Sequence, residues 1–503
     1  LSIVKMSKYN DTVKNFINIR ESDVFNNFEN YEIEIEAIND EINKYKKKDV
    51  SNLLISLKNI IKFILIGLQE SNYPITFIQI NEVKQNYFNL LKKKKIDIIN
   101  SSSKDFIGPS SLTLQKINAI VNNKNINDAN IRINYTVTDK ADGLRKLLYI
   151  NIDGLIYFIT SGFDIQFTGY KVSKKNLFNS ILDGEHVLYD KNMNYINLFM
   201  VFDIYFNNSK NVTSLPLISD EKDSDFRLKN LTKFIKELEL ESITENTKID
   251  LTINVKNFYA NENIFKACSN IINNIDKGLF IYNTDGLIFT PANTGVASDK
   301  VGIDAPDFKI TWNQSFKWKP PQFNTIDFLI KFTKDDFNKV ILSKIYNETN
   351  TTSESIVHYF TLHLYVGFDE KKHGYINPFN DLINDKIKNT NYSEKNNYRP
   401  AKFLPTNPSD NSAYICNLVA KVDSNNNYKI YTDEGEEIED DSIVEFSYNF
   451  DKKKEWRWTP LKIRYDKTSE YRKGEKNYGN SYHVANSNWH SIHNPITEDM
   501  IKS

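Results

Sequence analysis

An α+β fold built on antiparallel sheets is predicted for this chain, on three observations. Helical periodicity runs through residues 50–71 and 81–95; from about residue 112 the texture changes to short apolar runs separated by turns; and after Trp318-Lys319-Pro320-Pro321 a second, smaller set of strand-like runs begins. At 503 residues the chain is too long for one ordinary core, so two or three domains are expected.

The elements follow in order. Residues 31–36 read Tyr-Glu-Ile-Glu-Ile-Glu, an alternation that predicts a strand with Glu32, Glu34 and Glu36 on one face and Tyr31, Ile33 and Ile35 on the other. Successive glutamates on that face stand roughly 7 Å apart. In a closed site they ionise together only beside a divalent cation or basic partners; the alternative is a sheet edge in water. Helices are predicted over 50–71 and 81–95. The longest apolar stretch, Leu53–Leu68, is interrupted by Lys58 and Lys62 and reads as an amphipathic helix, not a membrane span. Phe106-Ile107-Gly108-Pro109-Ser110 then breaks the chain. Strands are predicted at Leu147–Ile152, Leu155–Thr160, Asn197–Phe206 and Gly278–Tyr282. The paired prolines stop any preceding strand, and further strands follow at Ile326–Phe332, His358–Phe368, Tyr414–Val422 and Ser442–Tyr448. Residues 389–412, rich in Asn, Ser and Pro, read as a loop, and 484–501 as a tail helix or a lead into another domain.

Composition excludes several classes. Lys plus Arg number 64 against 65 for Asp plus Glu, a net charge of -1, so no global basic field is available for bulk nucleic-acid binding. Basic clusters at Lys46-Lys47-Lys48, Lys92 to Lys95 and Lys452-Lys453-Lys454 read as solvated helix ends and loops. Cys268 and Cys416 are far apart, which supports neither a disulfide scaffold nor a cysteine-ligated zinc site and fits a reducing, cytoplasm-like compartment. A chain beginning at Leu1 is expected to be a piece of something longer, and no secretory signal or membrane partner is expected. Gly-x-x-x-x-Gly-Lys-[Ser/Thr], Gly-x-Ser-x-Gly and His-Glu-x-x-His do not occur.

Six charged or turn-forming elements stand in order. Lys140-Ala-Asp-Gly-Leu-Arg145 places a lysine before an Asp-Gly turn with an arginine beyond it, suited to a lysyl nucleophile facing a phosphate, although Asp-Gly also marks ordinary hairpins. Asp183-Gly-Glu185 puts a carboxylate just past a turn, where it can take a sugar hydroxyl or a metal-bound water. Phe202-Asp203 ends an apolar strand with an aromatic that can stack on a base or simply fill a core. Asp285-Gly-Leu-Ile-Phe289 is a second acidic turn. In Phe316-Lys317-Trp318-Lys319 both lysines share one face, and Lys462-Ile-Arg464-Tyr-Asp466-Lys467 is expected to put charges on one face of a strand.

Together these elements resemble the motif ladder of the covalent nucleotidyltransferase superfamily, which holds mRNA capping guanylyltransferases and polynucleotide ligases. The run Lys317-Trp-Lys-Pro-Pro-x-x-Asn-Thr-Ile-Asp-Phe328 and the closing Arg464-x-Asp466-Lys467 are similar to those of capping enzymes. Ala485-Asn486-Ser487-x-Trp489-x-Ser-Ile492-x-Asn494-Pro495 resembles the multifunctional capping enzymes of large DNA viruses and related cytoplasmic elements. The resemblance implies a nucleotidyltransferase domain over 106–323 and an OB-fold β-barrel with a tail over 324–503. Residues 1–105 would be the end of a triphosphate-tunnel, RNA triphosphatase-like domain with helices, in which Glu32, Glu34 and Glu36 form the late acidic strand. The early acidic strand of such a domain is not identifiable.

The implied reaction is GMP transfer from GTP through a lysyl-GMP on Lys140 to the diphosphate end of RNA. A lysyl nucleophile reacts as the neutral amine, whereas a free lysine, pKa about 10.4, is protonated at pH 7. Lys317, Lys319 and Mg²⁺ or Mn²⁺ are the expected sources of the positive field. The resemblance makes Asp285 a metal ligand, Glu185 a ribose contact, Phe202 the guanine stacker and Arg145 a contact to sugar or RNA. Arg464, Asp466 and Lys467 would reach the β and γ phosphates from a mobile OB domain. Lys462 stands where these enzymes often carry arginine, keeping the charge but losing the bidentate fork. Implied partners are GTP, an RNA 5' di- or triphosphate end, a cap methyltransferase domain or subunit and an RNA polymerase, in the cytoplasm, a viral factory or a virion. An ATP-dependent RNA or DNA ligase would use the same lysine with AMP, and a nonenzymatic RNA-binding scaffold would form no adduct.

Overall fold

The structure, a computed structural model, describes residues 2–5, 18–19, 21–22, 29–36, 50–93, 96–120, 129–221, 224–243, 250–260, 263–347, 355–369, 398–424, 426–472, 474 and 476–502. The cluster Lys46-Lys47-Lys48, Lys94 with Lys95, and the first part of the 389–412 loop lie outside the described residues. Two compact units emerge: Leu1–Asp49 with Asn324–Asn494, and Val50–Phe323 with Pro495–Ser503.

Strand β1 (Ser2–Lys5) pairs antiparallel with β2 (Glu29–Glu32) in a two-stranded ribbon. The strand expected through Glu36 therefore stops at Glu32, and Glu34 and Glu36 lie in irregular chain. Tyr31, Ile33 and Ile35 are exposed along with the glutamates. A two-stranded ribbon buries neither face, so alternation by itself cannot extend it.

Helices α1 (Val50–Gln69) and α2 (Phe77–Leu90) take the place of the two predicted ones. The second begins earlier than its periodicity suggested because Thr76 and Gln79 form a capping box: Thr76 Oγ1 accepts from the Gln79 amide at 3.2 Å and Gln79 Oε1 from the Thr76 amide at 2.9 Å. Its Val83, Tyr87 and Phe88 are buried. Among the described side chains of α1 none is fully buried, and by length and composition Ser51–Gln69 is long and apolar enough to cross a membrane.

The second unit then builds β3 (Ser110–Thr113), β4 (Tyr135–Ala141), β5 (Leu144–Ile150), β6 (Leu155–Thr160), β7 (Ile165–Lys171), β8 (Ser180–Tyr189), β9 (Tyr195–Asn207) and β10 (Lys210–Asn211). Helix α3 (Arg227–Glu237), β11 (Glu241–Ser242), β12 (Thr252–Val255), helix α4 (Ile264–Asp276), β13 (Thr284–Pro291) and β14 (Thr311–Trp318) follow. One sheet runs β10-β9-β8-β5-β6-β7-β11 with β12 parallel on β9, and a second runs β3-β14-β13-β4. Asp142-Gly143 is thus no hairpin turn: β4 and β5 belong to different sheets, and the dipeptide carries the chain from one to the other.

Leu147, Tyr149 and Ile159 pack with Tyr87 and Phe88 of α2 on one face of the larger sheet; Leu148, Leu182 and Val201 pack with Leu231 and Phe234 of α3 on the other. Val137, Phe289 and Phe316 of the smaller sheet pack against Cys268 and Ile271 of α4.

The strand predicted at Gly278–Tyr282 is absent. Gly278, at φ +69°, ends α4 in a Schellman arrangement, its amide on the Ile275 carbonyl at 2.9 Å and the Leu279 amide on Asn274 at 2.9 Å. Both α3 and α4 were missed because short strand-like runs dominate their surroundings.

The first unit carries β15 (Ile326–Phe332), β16 (Leu342–Asn347), β17 (Ser355–Phe368), β18 (Arg399–Lys402), β19 (Ile415–Val419), β20 (Lys421–Val422), β21 (Tyr428–Lys429), β22 (Ile443–Tyr448) and β23 (Trp458–Ile463). Helices α5 (Tyr465–Arg472) and α6 (Tyr482–His493) complete it. Its main sheet runs β16-β17-β15-β22-β23, with β18 and β19 also on β17, around Phe328, Phe403, Phe446, Trp458 and Trp489. The run Tyr414–Val422 is split at Ala420. The expected charged strand over 462–467 also fails: β23 ends at Ile463, and Asp466 and Lys467 begin α5, where an acidic side chain suits the positive end of the helix dipole.

The predicted tail forms α6 and a last helix, α7 (Glu498–Lys502), in the second unit. Trp318 Nε1 donates to the Ile496 carbonyl at 2.9 Å, and Ile496 and Ile501 join the core around α4.

Candidate active site

The chemistry gathers between the two sheets of the second unit, where a pocket of about 320 Å³ is lined by Lys140, Arg145, Glu185, Phe202, Lys256 and Lys317, among others. Lys140 comes from the end of β4. Opposite it, β13 carries a bulge: Thr284 pairs with Ala141 and Leu287 with Asp139, so Asp285 and Gly286 together face the single Lys140. Gly286 holds φ +145°, and a Cβ there would lie 1.9 Å from the Trp318 carbonyl oxygen, so the bulge requires glycine. The result aims Asp285 at the lysine.

Lys140 Nζ donates to Asp285 Oδ1 at 2.7 Å, and Lys319 Nζ approaches Asp285 Oδ2 at 2.8 Å. Burial by itself would raise the Asp285 carboxyl, but Lys140 and Lys319 outweigh it and hold the group below its ordinary value. Glu185 shows the reverse balance. Burial pushes its carboxyl up to about 7, against the pull of Lys140, Arg145 and Lys256 and with a smaller push from Asp183.

Arg145 is already committed. Its Nε and Nη2 bind Asp183 at 3.1 and 2.5 Å, its Nη1 donates to the Pro109 carbonyl at 2.6 Å, and Tyr205 donates a further bond to Asp183. The guanidinium lies 5.5 Å from the Phe202 ring and 5.6 Å from Phe106. Two of its five N–H donors remain for other partners. Phe202 is fixed from behind, because Asp203 binds the wholly buried Arg227 at 2.8 Å and Arg227 also donates to the carbonyls of Leu215 and Thr294.

A second buried network stands directly behind Lys140. Lys256 Nζ donates to the Asp139 carbonyl at 2.6 Å and to its carboxylate at 2.8 Å, and Tyr282 donates to the same carboxylate at 3.0 Å. Sequence reasoning missed Asp139, Lys256, Tyr282, Tyr205 and Arg227. Only Asp139, beside Lys140, had a positional signal; Lys256 lies in a stretch without motif spacing.

The remaining predicted residues lie in the first unit. There Arg464 Nη1 and Lys467 Nζ share Asp327 Oδ2 at 2.7 and 2.6 Å, and Arg464 also binds Asp466 at 3.0 Å. Lys462 stands 3.7 Å from Glu445. Glu32, Glu34 and Glu36 are exposed, and among the described residues no group of three or more His, Cys, Asp or Glu side chains converges on a metal-sized site. The donor chemistry of the pocket nevertheless suits a hard divalent cation, which commonly takes one or two carboxylates and completes its shell with substrate phosphates and water. Glu185 lines the pocket, and Asp285, beside Lys140, carries Lys140 and Lys319 on its two oxygens.

Residues 76–321 match the family described as mRNA capping enzyme, catalytic domain. Over 513 aligned residues the chain is 30% identical to the probable mRNA-capping enzyme of Acanthamoeba polyphaga mimivirus, covering 94% of this chain and 38% of that protein. It is 28% identical over 215 residues to the mRNA-capping enzyme of African swine fever virus (strain Badajoz 1971 Vero-adapted), covering 41% of this chain and 20% of that one. The chain thus spans less than half the length of either relative. Among solved structures, the ATP-dependent DNA ligase from bacteriophage T7 in complex with ATP aligns at 9% identity and a TM-score of 0.21, over 71% of this chain and 98% of that one. A likeness at that level carries no argument.

Proposed function

Residues 76–321 belong to the mRNA capping enzyme catalytic family, and from that premise we propose that the chain transfers GMP from GTP to the 5' diphosphate end of RNA through a lysyl-GMP on Lys140. The observation that carries the reading is the Lys140–Asp285–Lys319 cluster at the edge of a pocket large enough for a nucleotide.

In the first step the Lys140 Nζ lone pair forms a bond to the α-phosphorus of GTP, the bond to the bridging oxygen breaks, and pyrophosphate leaves. Asp285 Oδ1, at 2.7 Å, is the acceptor placed to take the Nζ proton. Lys319 and Lys317 oppose the charge developing on the phosphate. In the second step a terminal oxygen of the RNA diphosphate attacks the same phosphorus, the P–N bond breaks, and Lys140 recovers its proton. Mg²⁺ or Mn²⁺, held by Asp285 and Glu185 with the phosphates, would supply further charge neutralisation.

Phe202, braced by Asp203 and Arg227, is the proposed base platform, and Glu185 the ribose contact. Arg145 keeps the outer edge of its guanidinium for sugar or RNA. The unit of β15–β23 is proposed as an OB-fold domain whose Arg464, Asp466 and Lys467 bind the β and γ phosphates. Glu32, Glu34 and Glu36 are proposed to serve a triphosphatase only within a longer protein that extends the ribbon. A cap methyltransferase and an RNA polymerase are the proposed partners, and a cytoplasmic viral factory or virion the proposed setting.

The test is intact-protein mass after incubation with Mg²⁺ and either GTP or ATP, beside Lys140→Ala. A GMP adduct that pyrophosphate reverses and Lys140→Ala abolishes is expected. An AMP adduct would make the protein a ligase, and no adduct would leave a scaffold.

A further inference from the structure

Trp312 is the least explained side chain of the pocket. It lines the cavity at 6% exposure, yet its indole Nε1–H, fully shielded, finds no hydrogen-bond acceptor among the described residues. Buried tryptophan N–H groups ordinarily have a partner, and one left without costs free energy, so an orphan beside a ligand cavity points to an acceptor on the ligand.

Its placement is built. Trp312 and Lys317 are an odd number of residues apart on β14 and would fall on opposite faces of a regular strand. A register shift against β3 between Trp312 and Phe316 breaks the alternation and brings both into the pocket lining. Trp312 pairs with Ser111, whose hydroxyl meets that of Ser315 at 2.7 Å, and both serines line the cavity with it.

This end is remote from the nucleophile. From the Asp285–Lys140–Lys319 level, the three strands lead past Ile288 and Lys317 to Thr290 and Ser315. Four strand residues, as from Lys140 to Thr136, span about 13 Å, a distance that a lysine side chain and a nucleoside monophosphate together can bridge. A nucleotide with its α-phosphate at Lys140 therefore directs its base toward Trp312.

We propose that Trp312 reads the base: its indole N–H donates to the exocyclic carbonyl oxygen of guanine, a position where adenine presents an amino donor instead. The inference rests on the guanylyltransferase reading above. A site built to bond one polar group rejects analogues lacking it, because its own buried donor is then left unpaired.

The experiment compares lysyl-nucleotide formation from GTP and from 2-aminopurine riboside triphosphate, which lacks that oxygen, in the parent chain and in Trp312→Phe. The parent is expected to favour GTP in kcat/KM by roughly 10-fold to 100-fold, the scale of one buried hydrogen bond, and Trp312→Phe to bring the two within roughly 3-fold. Equal use of both by the parent overturns the inference without any variant, and so does a Trp312→Phe protein that keeps the parent's ratio. A parent that makes no lysyl-GMP removes the function reading and the inference with it; a parent adduct with an unchanged variant ratio removes the inference alone.

Discussion

Lys140 and Asp285, 145 residues apart in the chain, meet at 2.7 Å because a bulge in β13 sets two residues against one on β4. The pair unites the proposed nucleophile and its proposed proton acceptor on adjacent strands, and Lys140 together with Lys319 on the far carboxylate oxygen holds the Asp285 carboxyl below its ordinary value.

Asp285→Asn retains the shape of the pair but removes the proton acceptor and both ion pairs. Lysyl-GMP formation in single-turnover mass measurements is expected to slow by on the order of 10² to 10³-fold, the range for loss of a positioned base. A variant within a few-fold of the parent would show that the proton leaves by another route.

Burial raises the Glu185 carboxyl to about 7, so its charge is expected to change near neutral pH. In its proposed role as a ribose contact it accepts best when ionised, so the KM for GTP is expected to fall as pH rises through about 7, and Glu185→Gln to lose that step. The folded state also holds this proton between 4.5 and about 7 while the unfolded chain has released it, so the group's contribution to stability declines as pH rises across that window. Urea titrations at pH 5 and 8 should show a smaller loss of this kind in Glu185→Gln.

Arg227→Met strands a buried Asp203 carboxylate. Equilibrium denaturation is expected to show a loss of about 3–5 kcal/mol, and the double variant with Asp203→Asn to lose less than the two single losses combined. Additive losses would mean that the pair does not act as a unit.

Lys467→Ala removes one of two cations on Asp327. If it serves the leaving pyrophosphate, adduct formation from GTP should fall by on the order of 10²-fold, whereas transfer of a preformed lysyl-GMP to diphosphate RNA falls by less than about 10-fold. Equal loss in both steps would assign the residue to folding, and loss confined to transfer would assign it to RNA binding.

The amino-acid sequence by itself determined the α+β character, the strands β5, β6 and β9 of one unit and β15, β17, β19 and β22 of the other, and the ordered side chains of the pocket, because alternation and turn residues act over a few positions and survive in any context. Tertiary structure decided the rest. Asp142-Gly143 is a switch between sheets and not a hairpin because β5 finds its partners in β6 and β8. Glu34 and Glu36 lose their strand, which stops at Glu32, because a two-stranded ribbon gives alternation nothing to bury. Arg464 and Lys467 leave the strand because α5 begins there. The Asp139–Lys256–Tyr282 network and the orphan N–H of Trp312 depend on pairings across more than a hundred residues and on a bulge. Close-packed strands bring such groups together through register, which no local pattern encodes.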